Sequence, residues 1–156
     1  MKCFTCFIDL GCCGIGVVVR NDKGQLMGAL SKLLPYPLGA LETKAKAAEI
    51  GTTLAWELGL REVILEGDSQ TVMTAIANHD PGPIQVHQLI AGIKSWEPKF
   101  RAWKFSFTCR EGNKAAHQIA KYVKYISDYI IWVEDTPSII ASQILDDVTV
   151  LGLNSV

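Results

Sequence analysis

The chain has 156 residues and a formal net charge of -1, with 49% apolar and 20% charged residues. That is one domain's length, apolar enough to bury a core without disulfide or metal staples. With a pI of about 6.3 it exerts no global pull on polyanions, so any nucleic-acid surface has to be a local patch.

Residues 3–9 and 14–20 are apolar and β-branched runs separated by a glycine-containing turn, and they read as two strands. Four of the five cysteines (Cys3, Cys6, Cys12 and Cys13) crowd this region, and the fifth is Cys109. An odd, clustered set is no disulfide framework, and a reducing compartment follows from it. Cys3 and Cys6 form a C-x-x-C, but zinc sites pair two well-separated knuckles, so these thiols read as small buried side chains. Asp9 and the following glycines break the apolar stretch, which argues against a signal or a membrane span. The expectation is an intracellular protein, cytoplasmic or nuclear, with no membrane partner.

Asn21-Asp22-Lys23-Gly24 is a hairpin turn, and 25–32 supply a third strand that completes an antiparallel meander. After a proline-containing stretch, Leu41, Ala45, Ala48, Thr52, Ala55 and Leu58 recur at helical spacing, with Gly59 as the C-terminal glycine. Val63-Ile64-Leu65 has the continuous apolar character of a buried parallel strand. Residues 69–78 and 84–96 read as helices divided by the breaker at 79–83, in and beside which His79 and His87 read as solvated. Residues 103–108 alternate as a fifth strand. Asn113 then caps a helix with the stripe Ala116, Ile119, Ala120 and Val123. A terminal helix is expected over 138–147, with 152–156 frayed.

This order predicts an α/β domain: a mixed five-stranded sheet, three antiparallel strands and then two parallel, with helices on both faces. It is read as a single domain over 1–156, with a core over about 3–126 and an acidic C-terminal extension over about 127–156.

Five strings, taken in order, look familiar: Gly14-Ile15-Gly16-Val17-Val18-Val19-Arg20-Asn21, Leu38 to Ala48, Glu66-Gly67-Asp68-Ser69-Gln70, Arg110-Glu111-Gly112-Asn113-Lys114-Ala115-Ala116-His117, and Trp132-Val133-Glu134-Asp135. Together they resemble the plant ribonuclease H-like, or reverse-transcriptase-like, family of the type-1 ribonuclease H superfamily. The resemblance implies a ribonuclease H-like sheet and a site where four carboxylates hold two magnesium ions over a scissile phosphate. Magnesium requires hard oxygen ligands, and a pair of ions activates water while neutralising charge on the leaving oxygen.

Carried onto this chain, that site is depleted. Asp68 matches the fourth-strand carboxylate, with a helix N-cap as its plainer role. On the first helix Lys44 stands where the resemblance requires a glutamate; Glu42 and Glu49 lie about 200° and about 140° around the helix from it. Lys44 either pairs with Asp68, filling the space of a metal, or snorkels to solvent. His117 takes the fourth position, as is common among the plant relatives, and is either a site residue or a core-bordering histidine. Asp9 is either the first-strand ligand or a loop residue, because counting back from Gly14 lands near Cys3. The metal candidates are therefore Asp68 and Asp9, with Lys44 and His117 as degenerate positions. Magnesium is the implied cofactor if the domain is active, and the alternative is no cofactor.

Residues 99–124 hold seven cations against Glu111, while 125–156 carry five acids and no cation. Trp103, Phe105 and Phe107 interleave with the basic run, which suits nucleic-acid contact, although alternating aromatics on a strand also suit a core. Arg110, Asn113 and Lys114 are the nucleic-acid-binding candidates, and the expected partner is an RNA–DNA hybrid or double-stranded nucleic acid. The favoured reading is a nucleic-acid-binding domain with impaired or absent catalysis. The alternatives are a metal-dependent endoribonuclease acting on hybrids and a protein-interaction module or retroelement remnant. In that last case the edge strands of the opening meander would be the docking surface.

Overall fold

The computed structural model describes residues 4–9, 12–36, 38–78, 80–109 and 113–144, the first of these segments by its backbone alone. Six strands, β1 (Phe4–Asp9), β2 (Cys12–Arg20), β3 (Leu26–Leu34), β4 (Glu62–Gly67), β5 (Ala102–Phe107) and β6 (Tyr129–Val133), form one sheet in the order β5-β4-β1-β2-β3-β6. The meander is β1, β2 and β3, paired antiparallel. Asn21 builds the second turn: its Oδ1 accepts from the backbone N–H of Lys23 and of Gln25, and Gly24 takes φ of 78°.

Helix α1 (Ala40–Glu57) follows and ends as the sequence predicts. Gly59 adopts φ of 84° and donates to the Trp56 carbonyl while Leu60 donates to Ala55, which satisfies the helix's last carbonyls. Strand β4 (Glu62–Gly67) is parallel to β1 and to β5 (Ala102–Phe107). Between β4 and β5 lie α2 (Gln70–Ala77) and α3 (His87–Lys94), the latter preceded by a 3-10 turn at Ile84–Val86. Helix α4 (Lys114–Lys121) runs into a 3-10 turn, Tyr122–Tyr125.

The five expected strands are all present, and a sixth joins them. Strand β6 (Tyr129–Val133) pairs antiparallel with β3, so the meander keeps no free edge. The expectation of a docking edge on the meander is thereby corrected, since β1 is flanked by β4 and β2 while β3 is covered by β6. The run Tyr129-Ile130-Ile131-Trp132-Val133 is β-branched and aromatic, a composition that suits a pleated, half-buried edge.

Alternation along β2 divides the core. Cys13, Ile15, Val17 and Val19 pack under α1, α2 and α3. Val18 faces the other way and joins Ala115, Ala116 and Ile119 of α4 with Ile140 and Ile144. Gly14 and Gly16 share that second face, where a Cβ on Gly16 would lie 2.1 Å from the Ala116 carbonyl oxygen. Their lack of a side chain lets α4 lie directly on the strand. The segment that opens with the 3-10 turn Ser138–Ile140 buries Ile140 and Ile144 against α4, so where it is described the C-terminal extension is part of the same core.

Candidate functional site

The turn from β4 into α2 positions Asp68. Ser69, and not Asp68, caps α2, its Oγ accepting from the Val72 N–H at 3.4 Å. Asp68 is thus released from capping and points to α1, where Lys44 Nζ donates to its Oδ1 at 2.5 Å. Both side chains are largely withdrawn from water, 19% exposed for Lys44 and 10% for Asp68. Of the two arrangements open to Lys44, the ion pair is the one observed. A charge-assisted bond of this kind is short and strong, and here it neutralises a carboxylate that burial would otherwise penalise.

The glutamates of α1 are engaged elsewhere. Glu49 pairs with Lys46 at 2.5 Å and abuts Gly92 of α3, while Glu42 folds back toward Gly39 in the first turn. Neither stands beside Asp68, as the helical angles require.

The β1–β4 pairing sets Phe4 opposite Gly67, so the β1 residue that register brings level with Asp68 is Thr5. Asp9 pairs with Cys12 at the far end of the hairpin, five residues beyond Phe4. At ~3.3 Å per residue that is about 16 Å along the strand. His117 is half-buried on α4, which packs across β1 and β2. Asn113 occupies the N-cap position of α4 with no side-chain cap hydrogen bond, and at 2% exposure its side chain is inside the protein. Lys114 is exposed, whereas Arg110 and Glu111 lie outside the described residues.

The described cations of the basic run fall at two places in the fold. Lys99 stacks on Trp96 and Arg101 pairs with Glu62, both near the start of β5, whereas Lys114, Lys121 and Lys124 are exposed along α4 and the turn after it. Trp103 and Phe105 pack into an aromatic cluster with Phe100, which settles their role as core. His87, expected to be solvated, is half-buried and hydrogen-bonds the Gly82 carbonyl at 2.6 Å, closing the breaker loop onto α3; His79 lies outside the described residues. Cys13 is a buried thiol contacted by the Leu38 N–H and the Thr43 hydroxyl, and Cys12 and Cys109 are free. Among the described residues no three His, Cys, Asp or Glu side chains gather in a metal-binding group. No described helix is long and apolar enough to cross a membrane.

A profile of proteins described as reverse transcriptase-like matches residues 5–123. The chain belongs to that family. No curated protein matches the sequence. Among solved structures, this reverse transcriptase-like domain is similar to the RNase H1 of the halophilic archaeon Halobacterium salinarum, with a TM-score of 0.72 at 17% identity, over 78% of this chain and 94% of the archaeal one. It is also similar to LC11-RNase H1, solved in complex with an RNA/DNA hybrid, with a TM-score of 0.69 at 16% identity over 80% of this chain and 96% of that one. The N-terminal RNase H domain of a Mycobacterium tuberculosis protein gives a TM-score of 0.64 at 18% identity, over 71% and 81% of the two chains. At such identities the likeness establishes an RNase H-like fold for the domain.

The residues around Asp68 do not fit a pair of magnesium ions. The ammonium of Lys44 occupies the carboxylate oxygen a divalent ion would use and repels such an ion.

Proposed function

We propose that this domain grips an RNA–DNA hybrid or double-stranded nucleic acid and performs no hydrolysis, the Lys44 ammonium standing where the family's relatives would hold metal. The observation that carries the reading is the Lys44–Asp68 pair. One lysine supplies a fixed positive charge that needs no ion from solution, but it cannot lower the pKa of a bound water as a metal does. The similar structure solved with an RNA/DNA hybrid supports the choice of partner. Exposed Lys114 at the start of α4, with Arg110 before it, is the proposed backbone contact. His117 and the five sequence strings support placing the domain with the plant relatives.

The test is hybrid binding and hybrid cleavage measured side by side. Binding should persist in EDTA and weaken with salt, while neither magnesium nor manganese should elicit cleavage. Metal-stimulated cleavage that Asp68→Asn abolishes would replace this reading with the endoribonuclease, Asp68 and Asp9 then being its ligand candidates. Cleavage gained in Lys44→Glu alone would locate the missing activity at that lysine.

A further inference from the structure

On α4, Ala115, Ala116, Ile119 and Ala120 turn to the sheet, and Lys114, Gln118 and Lys121 form the opposite, exposed stripe. The turn behind the helix adds Tyr125, which is 78% exposed although it is a large aromatic side chain. Tyr125 is not a loose ring. Trp132 of β6 contacts Tyr122 with ring centroids 5.4 Å apart, and Tyr122 contacts Tyr125 at 5.5 Å. An aromatic ladder therefore runs from Trp132 to the surface and ends on the exposed ring of Tyr125. Ile139 closes the far side of a shallow cleft of about 290 Å³ that Gln118, Lys121, Tyr122 and Tyr125 also line. Lys114 and Lys121 make no ion pair among the described residues.

We infer that this stripe and cleft bind single-stranded nucleic acid, with a base stacking on Tyr125 and phosphates on Lys121 and Lys114. A polyanion with flat apolar faces matches both halves of the surface, the unpaired lysines and the pre-positioned ring. Protein partners that match the apolar part alone leave those cations uncompensated. Lys114 and Lys121 are seven residues apart, about 10 Å along the helix axis. At ~3.4 Å per stacked nucleotide that spans about three nucleotides. Continuing to Tyr125 extends the site to about five. The surface lies on the outward side of α4, and the inference stands independently of what the Lys44–Asp68 pair does.

The full chain is titrated with a fluorescein-labelled oligo(dT) of about 12 nucleotides, across a salt series, with fluorescence anisotropy as readout. Tyr125→Ala should weaken binding about fivefold or more, whereas Tyr125→Phe, which keeps the stacking face, should bind as the parent does. Lys121→Gln, which leaves the Lys114 contact proposed for the hybrid in place, should flatten the log–log salt dependence by about 0.7. Circular dichroism checks that each variant folds, and all of these side chains are exposed. Three results would overturn the inference: no oligo(dT) binding at low salt, equal binding by Tyr125→Ala, or equal loss in Tyr125→Phe. Capture of poly-glutamate with the same affinity as oligo(dT) would equally overturn it, because a generic polyanion contact needs no ring. Hybrid binding is measured on the same variants and should not respond to Tyr125→Ala, so failure of this site and failure of the hybrid reading are told apart.

Discussion

Lys44 and Asp68 are 24 residues apart in sequence and in contact at 2.5 Å, the first on the helix that covers the sheet and the second at the end of the strand beneath it. A pair so withdrawn from water is coupled, because each charge left alone would bear its desolvation unrelieved. A double-mutant cycle with Lys44→Met and Asp68→Asn, followed by urea unfolding, should give a coupling of about 1–3 kcal/mol. A coupling near zero would mean that the pair is a surface encounter and would remove the support for lysine as a metal substitute.

Gly16 is one of the points where α4 touches the sheet. An added Cβ would meet two backbone atoms of α4, the Ala116 carbonyl oxygen at 2.1 Å and the Ala120 nitrogen at 2.4 Å, and neither can rotate away. Gly16→Ala should cost about 3 kcal/mol, the upper end of ordinary overpacking. Gly92 lies within α3, and a Cβ there meets only the flexible Glu49 carboxylate at 3.5 Å. Gly92→Ala should therefore stabilise by about 0.5–1 kcal/mol through helix propensity, and thermal unfolding of the two variants should move in opposite directions.

Ser31 is fully buried in β3, and its hydroxyl has no hydrogen-bond partner among the described residues. Removing an unsatisfied buried hydroxyl removes its desolvation penalty, so Ser31→Ala should be neutral or stabilise by about 1 kcal/mol in urea unfolding. Marked destabilisation would show that the hydroxyl has a partner in solution.

Ser69 caps α2 over a long 3.4 Å contact. Ser69→Ala should accordingly fall at the low end of the capping range, about 0.5–1 kcal/mol. Because Ser69 is separate from the Asp68 pair, hybrid binding by this variant should be unchanged, which a binding titration checks.

Periodicity was sufficient to reveal α1 and its terminating Gly59, because local backbone preference and apolar spacing agree there, whereas β4, expected to be buried throughout, alternates and leaves Ile64 47% exposed between buried Val63 and Leu65. It also set Glu42 and Glu49 off the face of Lys44, since helical angles follow from residue spacing alone. Strand β6 escaped because a short aromatic and β-branched run becomes a strand only when an edge is waiting, and the edge of β3 is a product of the folded sheet. His87 looked solvated for a similar reason: its partner, the Gly82 carbonyl, is presented by a loop closure that spacing does not encode.

The sequence by itself determined that a lysine stands at the α1 position where the resemblance implies a glutamate. Whether that lysine turned to water or to Asp68 was decided only by packing. A four-carbon side chain has many rotamers of similar energy, and it took the burial of Asp68 between α1 and the end of β4 to make one of them the state of lowest free energy. The placement of the basic run's described cations at two places in the fold, and the exposed ring of Tyr125 at the end of its ladder, belong likewise to the tertiary structure, because neighbours in a sequence share a surface only when the topology turns them the same way.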